Sequence, residues 1–115
     1  MLVTDCLFCR IVAGEIPAEI VARNDAFLAF RDIVPKAPVH LLIIPTHHVS
    51  SVAVVGDLTM SERADMLGFV AHVADEQGLV ETGYRVVTNH GPDARQSVFH
   101  LHWHLMGGTT LSESM

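Results

Sequence analysis

Hydrophobic positions along the chain change their period several times, and each period predicts one kind of element. Two short apolar runs, 19–22 and 26–31, are separated by an Asn-Asp pair and predict a β-hairpin. The segment 39–45, VHLLIIP, is apolar without interruption and is bounded by prolines. This pattern is typical of a central strand that is buried on both faces.

A three- and four-residue period replaces these patterns after Thr59. Thr59 and Glu62 have the spacing of a capping box, and Gly78 is suited to end the helix. The residues that form the predicted apolar stripe are Met60, Ala64, Leu67, Ala71 and Ala74. A further strand is predicted at 84–89. The chain is then predicted to contain one long helix and at least four strands joined by short connections, which indicates the α+β fold class.

The segment 97–106, SVFHLHWHLM, alternates histidine with large apolar residues. In a strand, residues two apart share a face, so His100, His102 and His104 are predicted to lie on one side. The apolar residues predicted to face the core on the other side are Phe99, Leu101, Trp103 and Leu105. The pattern therefore predicts a strand with chemistry on its outer face and packing on its inner face.

Three interpretations of this histidine row are open. In the first, the imidazoles cover a solvated face, but three in register are unusual for that purpose. In the second, two of them bind one zinc ion, since His-x-His on a strand suits zinc, although about 13 Å separates the outer pair and one ion cannot take all three. In the third interpretation the central histidine is a nucleophile toward phosphorus, because neutral imidazole predominates near pH 7 and forms a phosphoramidate that water opens.

Composition narrows the class of protein. The 115 residues are half apolar and suffice for one domain, 1–115, with a loose tail predicted at 109–115. The formal charge of −6 argues against duplex nucleic acid as a partner, but not against a single nucleotide. No apolar run approaches the roughly 20 residues that cross a bilayer, and the first residues lack the pattern of a secretory signal. We expect a cytoplasmic protein without a membrane partner.

Cys6 and Cys9 form a C-x-x-C pair, which in a reducing compartment favours a metal or redox role over a structural disulfide. A thioredoxin-like site would need a strand before the pair, and the chain leaves little room for one. Buried thiols and half of a zinc site remain the alternatives. Four-coordinate zinc would need two further ligands, and the chain has histidines to supply them.

Several blocks in order resemble the histidine triad (HIT) superfamily, closest to the Hint branch. They are DCLFCRIVAGEIPA, AFRDIVPKAPVHLLIIP, YRVVTNHG and QSVFHLHWH. The resemblance implies a sheet of about five antiparallel strands with one long helix and a short N-terminal helix, and a homodimer in which two sheets join. It also implies hydrolysis of purine nucleoside 5'-phosphoramidates, with acyl- or lysyl-adenylates as further substrates, through a nucleotidyl-histidine intermediate.

The same resemblance implies roles for individual residues. His102 corresponds to the nucleophile, His104 to the imidazole beside the phosphate, and His40 to a fourth histidine of the site. Ser97 and Gln96 correspond to loop residues near the phosphate and the leaving group. The residues that correspond to nucleotide contacts are Asn89, Asp32 at the ribose, and Ile33, Phe8, Phe30 and Leu42 around the base.

By analogy with bacterial members and with galactose-1-phosphate uridylyltransferases, a structural zinc is implied on Cys6, Cys9, His48 and His100, with His47 as the substitute for His48. Arg95 departs from the resemblance, because the family usually has glycine there. His90 is also unusual and is interpreted as an exposed loop residue. Two other functions remain open, a hydrolase of dinucleoside polyphosphates and a nucleotide-binding regulator without turnover. A cupin-like metal oxidase would need a carboxylate and a distant histidine in a spacing that is not found.

Overall fold

A computed structural model of the chain describes residues 5–113, which form an antiparallel sheet with a helix on each face. Residues 114 and 115, the end of the predicted tail, lie outside the described residues. The strands are β1 Ile20–Arg23, β2 Phe27–Arg31, β3 Val39–Pro45, β4 Tyr84–Val87 and β5 Trp103–Gly107. The helices are α1 Leu7–Val12 and α2 Met60–Glu76, and a 3-10 helix Val52–Asp57 precedes α2.

The sheet has the order β1-β2-β3-β5-β4, and every neighbouring pair is antiparallel. This arrangement confirms the α+β class, the five-stranded antiparallel sheet, the long helix and the short N-terminal helix. The hairpin β1–β2 turns at Asn24, whose Oδ1 accepts from the backbone N–H groups of Ala26 and Phe27 at 2.9 and 2.8 Å. An Asx turn of this kind explains why the Asn-Asp pair ends one strand and begins the next.

Strand β3 is buried on both faces, as its uninterrupted apolar run predicts. Leu41 and Ile43 pack toward α2 in one core cluster, whereas Leu42 and Ile44 pack toward α1 in the other. Since side chains alternate along a strand, His40 shares the α1 face with Leu42 and Ile44. His40 therefore lies on the side of the sheet that α1 covers.

The capping box of α2 is present in full. The Glu62 N–H donates to Thr59 Oγ1 at 3.0 Å, and the Thr59 N–H donates to Glu62 Oε1 at 2.7 Å. At the other end Gly78 follows the cap residue Gln77 with φ 74°, a left-handed conformation that glycine adopts without a Cβ clash.

The predicted apolar stripe of α2 is wrong in phase. Met60 and Leu67 are 80% and 56% exposed, and of the predicted stripe only Ala74 is buried. The helix buries instead Met66, Phe69, Val70, Val73 and Ala74. The helix carries two apolar stripes, and the one with the bulkier side chains removes more apolar area from water when it packs on the sheet.

The histidine-bearing strand is shorter than predicted, since β5 begins only at Trp103 and residues 97–102 lie outside it. Its partner β3 ends at Pro45, which has no N–H with which to extend the ladder. Leu101 instead donates to the Val49 carbonyl at 2.7 Å. Leu101, Trp103 and Leu105 pack in or against the α2-side core as predicted, but Phe99 is 63% exposed, contrary to the prediction.

The prediction that the histidines lie on an outer face of the sheet is also wrong. His100 and His102 are 0% and 6% exposed, because α1 covers that face of the sheet. Within residues 5–113, no helix combines the length and the apolar character that crossing a membrane requires.

Candidate functional site

Three histidines meet on the α1 face of the sheet. In the β3–β5 register His104 lies opposite Leu42, and His40 lies opposite Met106. The diagonal relation brings the ring centroids of His40 and His104 to 5.2 Å, and the rings of His102 and His104 are also 5.2 Å apart. The sheet thus gathers two members of the predicted triad with the predicted fourth histidine, while His100 points into a separate cluster.

Hydrogen bonds determine the tautomer of His40. The backbone N–H of Lys36 donates to His40 Nδ1 at 3.0 Å, so Nδ1 carries a lone pair and the proton of the neutral ring lies on Nε2. His40 Nε2 is 2.9 Å from His104 Nδ1 and 3.4 Å from Asp32 Oδ2. His40 therefore donates to His104, which leaves the proton of a neutral His104 on Nε2.

The tautomer of His102 is fixed in the opposite sense. His102 Nδ1 lies 2.7 Å from the His100 carbonyl, which can only accept, so Nδ1 carries the proton. The same peptide region is held by Thr88, whose hydroxyl donates to the His102 carbonyl at 2.7 Å. Nε2 of His102 is the nitrogen with a free lone pair, and this is the atom that a nucleophilic imidazole must use.

Burial keeps the three imidazoles neutral. Desolvation lowers the pKa of His104 to about 4, helped by the neighbouring His102 and His40. Desolvation also lowers the pKa of His40 and of His102, against the opposing effect of the Asp32 carboxylate. At neutral pH all three rings are consequently available as neutral donors, acceptors or nucleophiles.

A cavity of about 260 Å³ opens beside His102 and His104. Asp32 and Ser97 supply its polar groups near the histidines. All four residues that were predicted to surround the base line this cavity, namely Phe8, Phe30, Ile33 and Leu42. Phe8 of α1 also contacts His102 edge to face at 5.2 Å, so the helix forms one wall of the cavity and packs on the imidazole.

His40 and His104 line a second cavity of about 270 Å³. Asn89 and Lys36 line it, and Asp32 borders both cavities. Asp32 Oδ1 accepts from the Val34 N–H at 2.9 Å, which fixes the carboxylate in an Asx turn. Gln96 lines neither cavity, since its side chain bonds Gly91 N–H and two backbone carbonyls within and beside its loop.

The cysteine pair forms the second cluster of the site. Cys6 caps α1, and the ligand atoms of Cys6, Cys9, His48 and His100 all lie within 4.8 Å of one another. These are the four residues that the resemblance implied. His47 lies elsewhere, with Nδ1 3.4 Å from Glu62 Oε1.

The geometry of this cluster fits a tetrahedral metal ion. His100 Nδ1 is 3.4 Å from Cys6 Sγ, 3.5 Å from Cys9 Sγ and 3.2 Å from His48 Nδ1. Bonds of about 2.3 Å to sulfur and about 2.0 Å to nitrogen give tetrahedron edges of about 3.3 to 3.8 Å. The Nε2–H of His100 donates to the Pro45 carbonyl at 2.8 Å, so its Nδ1 lone pair faces the cysteines and is free for a metal.

Asp32, His40 and His104 also lie within 4.8 Å of one another, but their hydrogen bonds do not suit a metal. The Lys36 N–H occupies His40 Nδ1, and the proton of His40 then occupies Nε2, the atom that faces the other two groups. No ring nitrogen of His40 is left to coordinate an ion. We interpret this group as a hydrogen-bonded relay.

Sequence reasoning missed the groups that fix the tautomers of His40 and His100. These are the backbone N–H of Lys36 and the carbonyl of Pro45. A backbone group is present at every position, so no residue type could have identified Lys36 or Pro45 from the sequence. The Thr88 hydroxyl was missed too, although its place beside the predicted Asn89 was a usable signal.

Comparisons with known proteins agree with this geometry. Residues 13–111 match the HIT domain family. The purine nucleoside phosphoramidase of Escherichia coli is 38% identical over 107 residues, 93% of this chain and 90% of that protein. A histidine triad protein from Clostridium difficile has a TM-score of 0.92 and 39% identity, with 98% of each chain covered. A HIT family hydrolase from Clostridium thermocellum has a TM-score of 0.85 and 39% identity, with 96% of each chain covered.

Proposed function

This chain belongs to the HIT domain family and is a hydrolase, and from that premise we propose that it cleaves the P–N bond of purine nucleoside 5'-phosphoramidates. The observation that carries the proposal is the fixed tautomer of His102. Its Nδ1–H is held by the His100 carbonyl at 2.7 Å, while the ring lines a cavity shared with His104 and Ser97. A neutral imidazole with Nε2 free beside a polar cavity suits attack on phosphorus.

In the proposed reaction, His102 Nε2 forms a bond to the α-phosphorus and the P–N bond of the substrate breaks. The departing amine takes up a proton, for which the Nε2–H of His104 and the hydroxyl of Ser97 are the available donors. Water then attacks the phosphorus and the nucleotidyl-imidazole bond breaks, while the proton of this water returns to the group that protonated the amine. The nucleoside 5'-monophosphate is released and His102 returns to its neutral form. His40 positions His104 by donating to its Nδ1 at 2.9 Å.

We place the nucleotide in the cavity beside His102. The Asp32 carboxylate is an acceptor-only group when ionised and suits the two hydroxyls of a ribose. Phe8 and Phe30 contact each other edge to face at 5.5 Å and, with Leu42 and Ile33, offer an apolar slot for a base. The preference for a purine follows the name of the Escherichia coli relative. Asn89 and Ser97 are proposed to surround the phosphate and the leaving group, and Gln96 holds their loop through its hydrogen bonds to Gly91 and Ser50.

We propose zinc as the ion of the Cys6, Cys9, His48 and His100 cluster, because two thiolates and two imidazoles in a tetrahedral arrangement are a common zinc donor set. Its role would be structural. The four ligands would tie α1 to the segment before β5, and His100 would at the same time hold His102 through its carbonyl. Two thiol ligands also suit the reducing cytoplasm, where we propose that the protein acts.

We further propose a homodimer of single domains, each spanning 1–115. The exposed stripe of α2 with Met60 and Leu67 offers apolar area for burial against a second copy. Strand β4 lies at one edge of the sheet and can pair with the same strand of a partner, which would join the two sheets. The nucleotide is the other proposed partner.

Hydrolysis of adenosine 5'-phosphoramidate tests the function directly. We expect the native protein and the surface variant His72→Ala to release adenosine monophosphate, and His102→Ala to lose activity by at least about a thousandfold. Mass spectrometry of the rapidly quenched native protein should detect one nucleotidyl group on the peptide that contains His102.

Two other results would redirect the assignment. Faster turnover of diadenosine polyphosphates than of the phosphoramidate would identify a dinucleoside polyphosphate hydrolase. Binding of adenosine monophosphate without turnover of either substrate would identify a nucleotide-binding regulator and contradict the proposed hydrolysis.

A further inference from the structure

His90 forms a hydrogen bond that its exposed position does not suggest. Its Nδ1 lies 2.7 Å from Ser51 Oγ, and Ser51 is only 2% exposed. Ser51 Oγ also accepts from the Ala53 N–H at 3.1 Å, where it caps the 3-10 helix Val52–Asp57. Because a hydroxyl can take part in several hydrogen bonds at once, Ser51 Oγ bonds the Ala53 N–H and His90 Nδ1 together.

This contact joins two segments that are 39 residues apart in sequence. The segment 89–97 is held at its other end by Gln96, whose Nε2 donates to the Ser50 carbonyl at 2.8 Å and whose Oε1 accepts from the Gly91 N–H at 3.0 Å. Both attachments therefore reach the adjacent residues Ser50 and Ser51. The loop 89–97 is clamped to the segment that precedes the 3-10 helix.

The two ends of this loop line the two cavities at the histidines. Ser97 lines the cavity that contains His102, and Asn89 lines the second cavity beside His40 and His104. His90 directly follows Asn89 in the chain, so its contact with Ser51 restrains the backbone next to Asn89. Gln96 directly precedes Ser97 and holds the other end in the same way.

We propose that His90 is a positioning residue of the reaction, which acts through the Ser51 hydroxyl to hold Asn89 and the loop 89–97 against the substrate. The inference rests on the proposed function and adds a residue that touches neither the reacting atoms nor the nucleotide cavity. A loop that is already ordered before the substrate binds loses less conformational entropy on binding. Loss of the His90–Ser51 hydrogen bond should therefore weaken mainly substrate affinity.

The experiment compares His90→Ala, His90→Asn and the control His72→Ala, a histidine on the exposed surface of α2 that is paired with Glu76. We expect His90→Ala to raise KM and the dissociation constant of adenosine monophosphate about fivefold to tenfold, the amount expected for one lost hydrogen bond. The value of kcat should change less than KM. His90→Asn should restore most of the loss, since the Asn amide oxygen can accept from Ser51 in place of Nδ1.

A double-mutant cycle with Ser51→Ala tests the route of the effect. His90→Ala should cost nothing further in a Ser51→Ala background, because the shared contact is already gone. Hydrogen exchange should become faster across 89–97 in His90→Ala and stay unchanged in His72→Ala. This readout reports on the loop whether or not the protein turns over a phosphoramidate.

The result that would overturn the proposal is a His90→Ala protein with native KM, native affinity for adenosine monophosphate and native exchange across 89–97, whatever its thermal midpoint. Full additivity of His90→Ala and Ser51→Ala in KM would overturn it as well. If the native protein fails to hydrolyse the phosphoramidate, the proposed function falls, and the monophosphate affinity and loop exchange of the same variants still decide the role of His90.

Discussion

His40 Nε2 lies 2.9 Å from His104 Nδ1, and the proton between them belongs to His40 because the Lys36 N–H occupies His40 Nδ1. This relation gives His104 an Nε2–H that is directed away from His40. A backbone donor thus determines, through two imidazoles in series, which nitrogen of His104 can give a proton to a leaving group. The order of donors runs in one direction, from Lys36 to His40 to His104.

The relay predicts a difference between two substitutions at His40. His40→Gln can place an amide N–H near the position of Nε2 and keep the donor toward His104, whereas His40→Leu removes it. We expect His40→Leu to lower kcat about tenfold to a hundredfold, within the range of general acid–base effects, and His40→Gln to lower it less. Steady-state kinetics on the phosphoramidate measure both. Equal losses in the two variants would contradict the relay.

The buried imidazoles predict that the protein loses stability in acid. Burial holds the pKa of His104 at about 4 and the pKa of His40 below its usual value, whereas both titrate near 6.5 in the unfolded chain. Above about pH 6.5 neither state binds these protons. As the pH falls from about 6.5 toward about 4, the unfolded state binds more of them, and stability falls by at most about 1.4 kcal/mol per pH unit for each group.

Urea unfolding of the native protein between about pH 7.5 and about pH 4.5 measures this slope. The variant His104→Asn lacks one of the two groups and should show a shallower decline, while the exposed-surface variant His72→Asn should follow the native curve. Parallel curves for all three proteins would show that burial of His104 is not linked to folding.

Much of the fold could be predicted because the local patterns had one physical solution. The run VHLLIIP and the capping box Thr59/Glu62 agree with the structure at β3 and at the start of α2. The phase of α2 failed because that helix has apolar residues on two faces, and periodicity alone does not say which face meets the sheet. The face with the larger side chains, among them Phe69 and Val73, packs on the sheet because it buries more apolar area there.

The site was predictable in its residues but not in most of its hydrogen bonds. The spacing of His100, His102 and His104 suggested one shared face, yet His100 lies before β5 and turns toward the cysteines. Pro45 ends the ladder at that point, a long-range effect that the histidine segment does not reveal. His90, interpreted as an exposed loop residue, is indeed exposed but bonds a buried serine 39 positions away.

The metal cluster predicts opposite results for two adjacent histidines. His48 Nδ1 lies 3.3 Å from Cys9 Sγ, whereas His47 faces Glu62. His48→Ala should therefore lose zinc, with at least about a tenfold weaker affinity, and His47→Ala should keep it. Zinc analysis after purification without added metal measures the content. Full zinc in His48→Ala, or its loss in His47→Ala alone, would refute the assignment of ligands.

Removal of the proposed zinc ion should also weaken nucleotide binding. Phe8 lies one residue before Cys9 in α1 and contacts His102 at 5.2 Å, so a loosened α1 disturbs the wall of the cavity. We expect chelation to expose both thiols to rapid alkylation and to lower the affinity for adenosine monophosphate. Calorimetric titration before and after restoring zinc is the measurement, and unchanged affinity in a verified zinc-free protein would separate the two sites.

The exposed stripe of α2 predicts the effect of one charge on assembly. Leu67→Asp places a carboxylate in the centre of the proposed interface, where burial without a partner is costly. We expect the native protein to sediment as a dimer and Leu67→Asp as a monomer at micromolar concentration. His72→Asp adds the same charge at another exposed position of α2 and should remain dimeric. A dimeric Leu67→Asp protein would move the interface away from this stripe.

Arg95 adopts a backbone conformation that favours glycine, with φ 61°. An L-residue there costs roughly 1 kcal/mol or more, and such strain persists only where the surroundings fix the backbone. Here the Arg95 N–H donates to the Pro92 carbonyl at 3.0 Å, and Gln96 N–H donates to the Gly91 carbonyl at 3.1 Å. These hydrogen bonds hold the loop in its shape, and the backbone of Arg95 is strained as a result. Arginine is thus accommodated where the family usually has glycine.

We therefore expect Arg95→Gly to raise the free energy of unfolding by about 0.5 to 1 kcal/mol, since relief of the strain exceeds the added entropy of the unfolded chain. Arg95→Ala removes the same side chain but keeps a Cβ, and it should leave stability within about 0.5 kcal/mol of the native value. Urea unfolding of the three proteins at one pH gives the comparison. If Arg95→Ala gains as much as Arg95→Gly, the gain arises from the removed charge and not from the backbone of this loop.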